Sequence, residues 1–154
     1  MNVLIFRDPR ESTRKCSLTP LRGHPLLRFV NDRPSQVPPF VLEAGPRVLL
    51  HPDGEELSAA DAGQDLLLID CSWRRLAPML ARVQGELTPR RLPPLVTAYP
   101  RKNKQGEDPS AGLASVEALY AALVLMGESR PELLEGYRWA DAFLELNPAL
   151  APHR

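Results

Sequence analysis

The sequence predicts an α/β fold in which a parallel sheet is flanked by helices. Four short apolar runs are bounded by proline, glycine or charged residues, as buried strands are, and they span residues 2–6, 47–50, 66–69 and 95–98. Helical patterns lie between and after these runs, at residues 25–31, 58–62, 73–83, 113–126, 131–135 and 139–146. Because strands alternate with helices, parallel strands joined by crossover helices are favoured.

Length and composition indicate a single domain over residues 1–154. The chain has 154 residues, of which 44% are hydrophobic, and this is sufficient for a core of ordinary size. Its longest apolar runs are too short to span a membrane, and the first residues lack the layout of a secretory signal. We therefore expect a soluble, cytoplasmic protein, and we expect it to be a monomer.

Several classes of site are disfavoured by the residues that carry them. Cys16 and Cys71 stand 55 positions apart and the three histidines are scattered, so we expect reduced thiols, no disulfide and no metal site. The chain contains no glycine-rich phosphate-binding motif. Nucleotide hydrolysis and Rossmann-type dinucleotide binding are therefore both disfavoured.

Charge is unevenly distributed along the chain, although the net charge is zero. Residues 74–104 contain one acid, Glu86, and eight basic residues, which are Arg74, Arg75, Arg82, Arg90, Arg91, Arg101, Lys102 and Lys104. The last 50 residues reverse this balance, with eight acids and three arginines. The basic stretch suits a nucleic-acid-binding surface, but charge alone favours solvated faces of ordinary helices and loops.

Polar residues follow the predicted strands, where ligands collect in parallel sheets. Residues 51–52 follow the second apolar run, Asp70 follows the third, and residues 99–100 follow the fourth. Ser72 can then cap a helix that starts at Trp73. An acid beside a helix start suits a cofactor site; the alternative is that Asp70 and Ser72 are only caps and that Trp73 only packs.

Six short motifs occur in one order along nearly the whole chain, and together they resemble a known family. They are Lys15-Cys16-Ser17, LSAAD at 57–61, DCSW at 70–73, RLP at 91–93 followed by Leu95-Val96, Leu113 with SVEAL at 115–119, and Trp139 with FLELN at 143–147. The series is similar to the 18S ribosomal RNA aminocarboxypropyltransferases of eukaryotes and archaea and, more distantly, to the bacterial DTW-domain tRNA aminocarboxypropyltransferases. The resemblance implies a SPOUT-like fold with a C-terminal trefoil knot, with residues 46–154 as the cofactor-binding part and residues 1–45 as the N-terminal part.

The resemblance also implies a function in ribosome biogenesis. This function is transfer of the 3-amino-3-carboxypropyl group of S-adenosylmethionine to N3 of a uridine or pseudouridine in small-subunit rRNA, with release of 5′-methylthioadenosine. Two alternatives have the same fold. One is a SPOUT-type RNA methyltransferase, which would release S-adenosylhomocysteine, and the other is a non-catalytic RNA-binding protein of ribosome assembly.

The family's contacts to the cofactor, carried over position by position, fall on nine residues: Ser17, Leu50, Pro52, Asp70, Trp73, Leu92, Leu95, Val96 and Ser115. Trp73 is expected to form a wall beside the sulfonium, because a cation over an aromatic ring gains roughly 0.5–2 kcal/mol. Leu50 and Pro52 are expected to flank the adenine. The main chain of residues 92–96 is expected to meet the ribose and base.

The polar residues of this set have two possible roles each. Ser17 and Ser115 either hold the ribose or the amino-acid end of the cofactor, or cap a turn or helix. Asp70 either accepts the cofactor's ammonium group as an anchor or removes the N3 proton as a catalytic base. The sequence leaves both pairs of alternatives open.

The RNA is expected to contact the basic stretch, through Arg74, Arg75, Arg90, Arg91, Arg101, Lys102 and Lys104, with Tyr99 stacking on a base. Two departures from the family pattern lie nearby. The loop of residues 98–112 keeps one tyrosine but is otherwise rich in charge. Ala114 replaces a serine, so the Ser-x-x-Glu capping box with Glu117 is expected to be lost, at a cost of about 1 kcal/mol.

Overall fold

Strands and helices alternate along the chain in the computed structural model, which describes residues 1–10, 16–100 and 112–152. The strands in this part of the chain are β1 (Val3–Arg7), β2 (Leu27–Asn31), β3 (Leu42–Glu43), β4 (Arg47–Glu56), β5 (Leu66–Asp70), β6 (Val83–Gln84) and β7 (Leu87–Arg91). Its α-helices are α1 (Trp73–Leu80), α2 (Ser115–Leu125) and α3 (Ala140–Leu146). Single turns of 3₁₀ helix lie at Thr19–Leu21, Ala59–Asp61, Pro131–Leu134 and Pro148–Leu150.

A five-stranded sheet in the order β2-β1-β5-β4-β7 lies at the centre, and every neighbouring pair of its strands is parallel. β3 and β6 form a separate parallel pair. β1 and β5 are buried along their whole length, which explains why their sequences are nearly continuous apolar runs. The predicted parallel sheet flanked by helices is therefore confirmed.

Each face of the sheet has its own hydrophobic core, because successive side chains of a strand point to opposite faces. On one face, Val3 and Ile5 of β1 pack with the buried residues of α2. On the other face, Leu4 and Phe6 pack with Met79 of α1. The sheet is thus covered on both sides, by α2 on one face and by α1 on the other.

The prediction of a helix at residues 25–31 is wrong. Residues 27–31 form β2, which pairs in parallel with β1 along all 5 of its residues. A helix this short is marginal by itself, and Phe29 and Val30 favour strands. Pairing with β1 therefore determines the conformation of this segment.

The prediction of a strand at residues 95–98 is also wrong, because none of these residues belongs to a sheet. The strand that pairs with β4 at this edge of the sheet is β7 and not the segment 95–98. The sequence of β7, LTPRR, contains no apolar run because β7 lies at the sheet edge. Pro89 is tolerated in β7 since an edge strand has ladder partners on one side only. Residues 95–98 are held instead by side chains, as described below.

The other five predicted helices are present. Residues 58–62 and 131–135 contain single 3₁₀ turns, and residues 73–83, 113–126 and 139–146 contain α1, α2 and α3. None of the helices in the described ranges is both long and apolar enough to cross a membrane. The C-terminal trefoil knot stays a prediction.

We expect that position 54 does not tolerate a side chain, because β4 and β7 touch there. A Cβ atom on Gly54 would lie 2.4 Å from the carbonyl carbon of Pro89 and 2.5 Å from the nitrogen of Arg90. Gly54→Ala should lower the free energy of unfolding by about 1–3 kcal/mol, as overpacking does, in urea denaturation. Gly136→Ala is the control, since its Cβ would meet only the Cβ of Pro20, at 4.0 Å. Equal stability of the two variants would contradict this expectation.

Candidate functional site

The winding direction of the sheet reverses between β1 and β5, and the region outside the carboxyl ends of these two strands is called the crevice below. The chain leaves β1 towards β2 on one side, and it leaves β5, by way of α1, towards β7 on the other side. In open parallel sheets, ligands bind outside the carboxyl ends of the strands where the direction reverses in this way. The last residues of the two strands, Arg7 and Asp70, are partners in the ladder. They mark the candidate site.

Asp70 is bound by three side chains from separate parts of the chain. Its Oδ1 accepts a hydrogen bond from the Ser115 hydroxyl at 2.8 Å, and its Oδ2 accepts one from the Cys16 thiol at 3.1 Å. The Nε of Arg7 lies 3.5 Å from Oδ2, and the side chains of Arg7 and Asp70 are only 8% and 10% exposed. Asp70 therefore joins β1, β5, the segment at residue 16 and the start of α2.

Arg7 was not assigned to the site by the sequence analysis, although it follows an apolar strand just as Asp70 does. Its Nη2 donates to Thr19 Oγ1 at 2.8 Å, and its guanidinium lies 5.3 Å from the centroid of the Phe29 ring. The side chain of Arg7 lies on the same face of β1 as the core residues that pack against α2. The next residue, Asp8, points to the opposite face, towards α1. The signal that was overlooked is a basic residue at the end of a buried strand.

Ser17 and Ser115, both predicted site residues, meet at the N-terminus of α2. The Oγ of Ser17 accepts a hydrogen bond from the Val116 N–H at 3.0 Å, and Ser115 donates to Asp70. Ser17 therefore caps α2 from a segment 99 positions earlier in the chain. Each hydroxyl has a protein partner, so any bond to a ligand would be additional.

The prediction that the α2 capping box is lost at Ala114 is wrong in part. Alanine has no side-chain acceptor, but the other half of the box remains, because Glu117 accepts a hydrogen bond from the Ala114 N–H at 2.8 Å. The hydroxyl that is missing from position 114 is replaced by that of Ser17. More of the backbone N–H groups at the start of α2 therefore have hydrogen-bond acceptors than the sequence of α2 alone indicates.

Cys16 is a protonated thiol in this arrangement. Burial raises the pKa of the Cys16 thiol, and the adjacent Asp70 carboxylate raises it further. The thiol therefore keeps its proton at neutral pH and donates a hydrogen bond to Asp70. Neither Cys16 nor Cys71 forms a disulfide, as predicted.

Trp73 begins α1, three positions after Asp70, and its surface is 50% exposed. The guanidinium of Arg74 lies 5.8 Å from the centroid of its ring. This geometry is that of a cation–π interaction, so the ring already accepts a cation on one face. An exposed ring at the end of a central strand suits the predicted role as a wall of a binding site.

Leu50 and Pro52 lie where the pairing of β4 with β7 is interrupted. The register shifts between Leu50 and Glu55, so the intervening residues bulge from the ladder. Leu50 is half-buried against the α2-side core, whereas Pro52 is exposed. The irregularity therefore brings Pro52 to the surface on the strand next to β5.

The segment that follows β7 is packed on one side and exposed on the other. Leu92 and Leu95 contact the α2-side core, whereas the Val96 side chain is 52% exposed. The N–H of Val96 donates to Asn147 Oδ1, and its carbonyl accepts from Asn147 Nδ2, both at 2.8 Å. Asn147 binds both the N–H and the carbonyl of Val96. Val96 therefore presents its side chain, more than its main chain, to a ligand.

Glu117 and Asn147 hold this segment, although neither is among the site residues predicted from the sequence. They are 0% and 6% exposed. Both belong to the motifs on which the resemblance rests, SVEAL and FLELN. A buried polar residue within an apolar motif was the available signal, but their partners lie 20 and 51 positions away.

Comparison with known proteins decides the family. Residues 48–152 match the family model described as "Ribosome biogenesis protein, C-terminal". A protein of Methanopyrus kandleri named "16S rRNA aminocarboxypropyltransferase" is 32% identical over 132 residues, which cover 84% of this chain and 75% of that protein. The chain belongs to this rRNA aminocarboxypropyltransferase family.

Further relatives with the same name confirm the resemblance seen in the motifs. The Halobacterium salinarum protein is 39% identical over 103 residues, which cover 65% of this chain and 59% of that protein. The Vulcanisaeta distributa protein is 29% identical over 150 residues, covering 94% and 77%. A solved structure described as "the SAM-dependent rRNA:acp-transferase Tsr3" from the latter organism matches with a TM-score of 0.69 and 27% identity, covering 96% of this chain and 78% of the other.

In this aminocarboxypropyltransferase family member, three of the arginines predicted to bind RNA have partners within the protein. Arg75 Nη1 lies 2.7 Å from Asp8 Oδ2, and Arg90 Nε lies 3.2 Å from Asp61 Oδ1. The two carboxylates are 0% and 5% exposed. Arg91 donates to a main-chain carbonyl of β4 at 3.0 Å. These contacts give all three side chains a role in the fold, although each guanidinium has five N–H donors and the contacts named use one of them.

The other predicted RNA contacts differ in placement. Arg74 is exposed on α1. Tyr99 packs edge-to-face on Trp139, with ring centroids 5.1 Å apart. The remaining three, Arg101, Lys102 and Lys104, lie outside the residues that the structure describes.

A cleft of about 280 Å³ lies near the Tyr99–Trp139 pair, between the Pro131–Leu134 turn and α3. Tyr137 and Arg138 line it, and the Tyr137 ring lies 5.8 Å from that of Trp139. Two acids, Glu135 and Asp141, also line the cleft. Within the described ranges, no three histidine, cysteine, aspartate or glutamate side chains are grouped so that they could hold a metal ion.

We expect Arg75 to stabilise the fold through Asp8. Burial raises the pKa of the Asp8 carboxyl, but hydrogen bonds from Arg75 and Arg10 outweigh burial, so the pKa lies below its usual value of 3.8. A carboxylate with a lowered pKa contributes stability above its unfolded pKa, and this contribution is lost as the pH falls through the folded pKa. Arg75→Gln should therefore cost about 1–2 kcal/mol of unfolding free energy at pH 7, and progressively less below pH about 4.

The matched control is Arg74→Gln, because Arg74 is the exposed neighbour of Arg75 on α1. Substitutions of this kind change stability by about 0.5 kcal/mol or less. The free energies of unfolding of both variants and the wild type are compared by urea denaturation between pH 3 and pH 7. A loss for Arg75→Gln that is independent of pH would show that the contact with Asp8 is not its cause.

Proposed function

We propose that this chain transfers the aminocarboxypropyl group of S-adenosylmethionine to N3 of a uridine or pseudouridine in small-subunit rRNA. The observation that carries the proposal is the structural likeness, over 96% of the chain, to a protein described as a SAM-dependent rRNA:acp-transferase. The three relatives named above are all called 16S rRNA aminocarboxypropyltransferases. The crevice between β1 and β5 is where a parallel sheet of this topology binds its ligand.

The residues at the crevice fit S-adenosylmethionine in their chemistry. The cofactor combines an adenine, a sulfonium cation and a zwitterionic amino-acid end. The half-exposed ring of Trp73 suits the cation, and the exposed side chains of Pro52 and Val96 offer apolar surface. Asp70 supplies the carboxylate that would attract an ammonium group. We therefore assign the cofactor to this side of the sheet, with Ser17, Leu50, Leu92, Leu95 and Ser115 as the remaining predicted contacts.

Bound S-adenosylmethionine would supply a carbon that is activated by the attached sulfonium. N3 would bond to that carbon while the carbon–sulfur bond breaks. Methylthioadenosine would leave with the electron pair of that bond, and N3 would release its proton. The protein then has to place the two reactants, which accounts for much of catalysis in such displacements. The ends of β1 and β5 and the first turn of α2 border the crevice. The residues 46–154 would supply most contacts, and residues 1–45 would supply β1 and Ser17.

Between the two roles considered for Asp70, the contacts favour the anchor. Ser115 and Cys16 donate hydrogen bonds to the carboxylate, and Arg7 adds a positive charge. These three contacts hold the carboxylate in one position, which suits a fixed anchor for a cationic group. We propose that Asp70 attracts the cofactor's ammonium group, and that the N3 proton passes to solvent.

The RNA would approach from the side of the exposed basic residues. Arg74 is available on α1, and we propose Arg101, Lys102 and Lys104 as further phosphate contacts. Arg75, Arg90 and Arg91 would contribute positive potential while they hold the fold. Tyr99 would offer one edge of its ring, because Trp139 covers another part of it.

The reaction is tested by the fate of two labels. Purified protein is incubated with small-subunit rRNA and with S-adenosylmethionine labelled either in the carboxyl group or in the methyl group. We expect only the carboxyl label to enter the RNA and methylthioadenosine to be the product. Entry of the methyl label with S-adenosylhomocysteine as the product would establish the methyltransferase alternative. Binding of RNA without either product would indicate a non-catalytic assembly protein.

Trp73 provides a test of the cofactor wall. Trp73→Ala should weaken S-adenosylmethionine binding by about threefold to thirtyfold, the range expected from loss of a cation–π contact, while the exposed ring contributes little to folding. Arg74→Ala is the matched control, because it removes the cation that already lies over the ring and should leave cofactor affinity unchanged or higher. Isothermal calorimetry measures both, with thermal unfolding to verify the fold. Unchanged affinity in folded Trp73→Ala would remove Trp73 from the site.

A further inference from the structure

Residues 95–99, hereafter the 95–99 loop, follow β7 but belong to no sheet. We propose that Glu117 and Asn147 are positioning residues that hold this loop in its ligand-binding conformation before S-adenosylmethionine arrives. The inference rests on the proposed function, in which Leu95 and Val96 contact the cofactor. It adds that cofactor affinity depends on two buried side chains that do not themselves touch the cofactor.

Asn147 takes the place of a neighbouring strand for the first half of the loop. Its amide accepts from the Val96 N–H and donates to the Val96 carbonyl, both at 2.8 Å, as a paired strand residue would. Its Nδ2 also donates to the carbonyl of Phe143 at 2.8 Å. This third bond ties the amide to α3 and thus determines its orientation.

Glu117 plays the corresponding part for the second half of the loop. Its carboxylate accepts from the Thr97 hydroxyl at 2.5 Å, from the Ala98 N–H at 2.9 Å and from the Ala114 N–H at 2.8 Å. Thr97 Oγ1 in turn accepts from the Tyr99 N–H at 3.0 Å. The side chains of Asn147, Glu117 and Thr97 therefore bind the N–H groups of Val96, Ala98 and Tyr99 without any adjacent strand.

These contacts determine which side of the loop faces outwards. Leu95 and Ala98 pack against the α2-side core, whereas the Val96 side chain is 52% exposed. A ligand that meets a loop already in this conformation does not have to order it, and its affinity is higher for that reason. Without Glu117 or Asn147, buried amides would lose their partners and the loop would gain alternative conformations.

The first turn of α2 also links the loop to the crevice. Ser115 binds Asp70, and Glu117, two residues further, binds Thr97 and Ala98. One helical turn therefore sets the position of the loop relative to the carboxylate at the end of β5. We call Glu117, Asn147 and Thr97 the clamp, and we expect a defect in the clamp to reduce cofactor affinity.

Substitutions that keep the side-chain size test the clamp. Glu117→Gln replaces one acceptor by a donor, Asn147→Asp removes the donor to Val96, and Thr97→Val removes the hydroxyl at constant shape. Each should weaken S-adenosylmethionine binding by about tenfold, the effect expected when a buried hydrogen bond is lost. Thr97→Ser retains the hydroxyl and should bind like the wild type, as should Glu145→Gln, an exposed glutamate on α3.

Two further measurements separate positioning from a general loss of structure. In steady-state assays the KM for S-adenosylmethionine should rise in the three clamp variants, while kcat at saturating cofactor should stay close to wild type. In amide hydrogen exchange without cofactor, the N–H groups of Val96, Ala98 and Tyr99 should exchange slowly in wild type and quickly in Thr97→Val. This readout depends on the loop alone and remains available if Glu117→Gln does not fold.

Wild-type cofactor affinity in folded Glu117→Gln, Asn147→Asp and Thr97→Val would overturn the inference. It would also be overturned if the loop amides of the wild type became protected only after cofactor is added. Failure of the wild type to bind S-adenosylmethionine would instead contradict the proposed function. The exchange measurement without cofactor would then still show whether the clamp holds the loop.

Discussion

Asp70 ends the central strand β5, and side chains from β1, from the segment at residue 16 and from α2 all converge on its carboxylate. A buried carboxylate is tolerated only when it is hydrogen-bonded or paired, and here Ser115, Cys16 and Arg7 meet that need. The same contacts place parts of the chain that have little regular structure. Cys16, Ser17 and Thr19 are each attached to Asp70, α2 or Arg7, so the wall of the crevice depends on this one cluster.

The fold was predictable where burial imposes a simple pattern. β1 and β5 lie at the centre of the sheet, so their apolar runs are unambiguous. β2 and β7 lie at the edges and carry arginines or a proline, which conceal their conformation. The 95–99 loop shows the opposite problem. Leu95 and Ala98 face the core as strand residues do, but the hydrogen bonds of the loop go to Asn147, Glu117 and Thr97.

The site was predictable as a set of residues but not as a set of contacts. The motifs pointed to Asp70, Ser17 and Ser115, and the structure brings these three together. It also shows that each is engaged by the protein. Arg7, Glu117 and Asn147 are visible in the sequence as polar residues in apolar surroundings, but their partners lie 20 to 63 positions away, so no local pattern specifies the contacts.

The distances along the chain between the partners at the crevice bear on how the protein folds. Ser17 can form its hydrogen bond only after Val116, 99 positions later, has been synthesised. Val96 likewise needs Asn147, which is 51 positions later. Parallel strands have the same property, since each pair must close a long intervening segment. During synthesis the sheet can therefore begin to form well before the 95–99 loop has its clamp. A nascent chain that has reached β7 would have its central strands but no completed site, so the binding surface matures last.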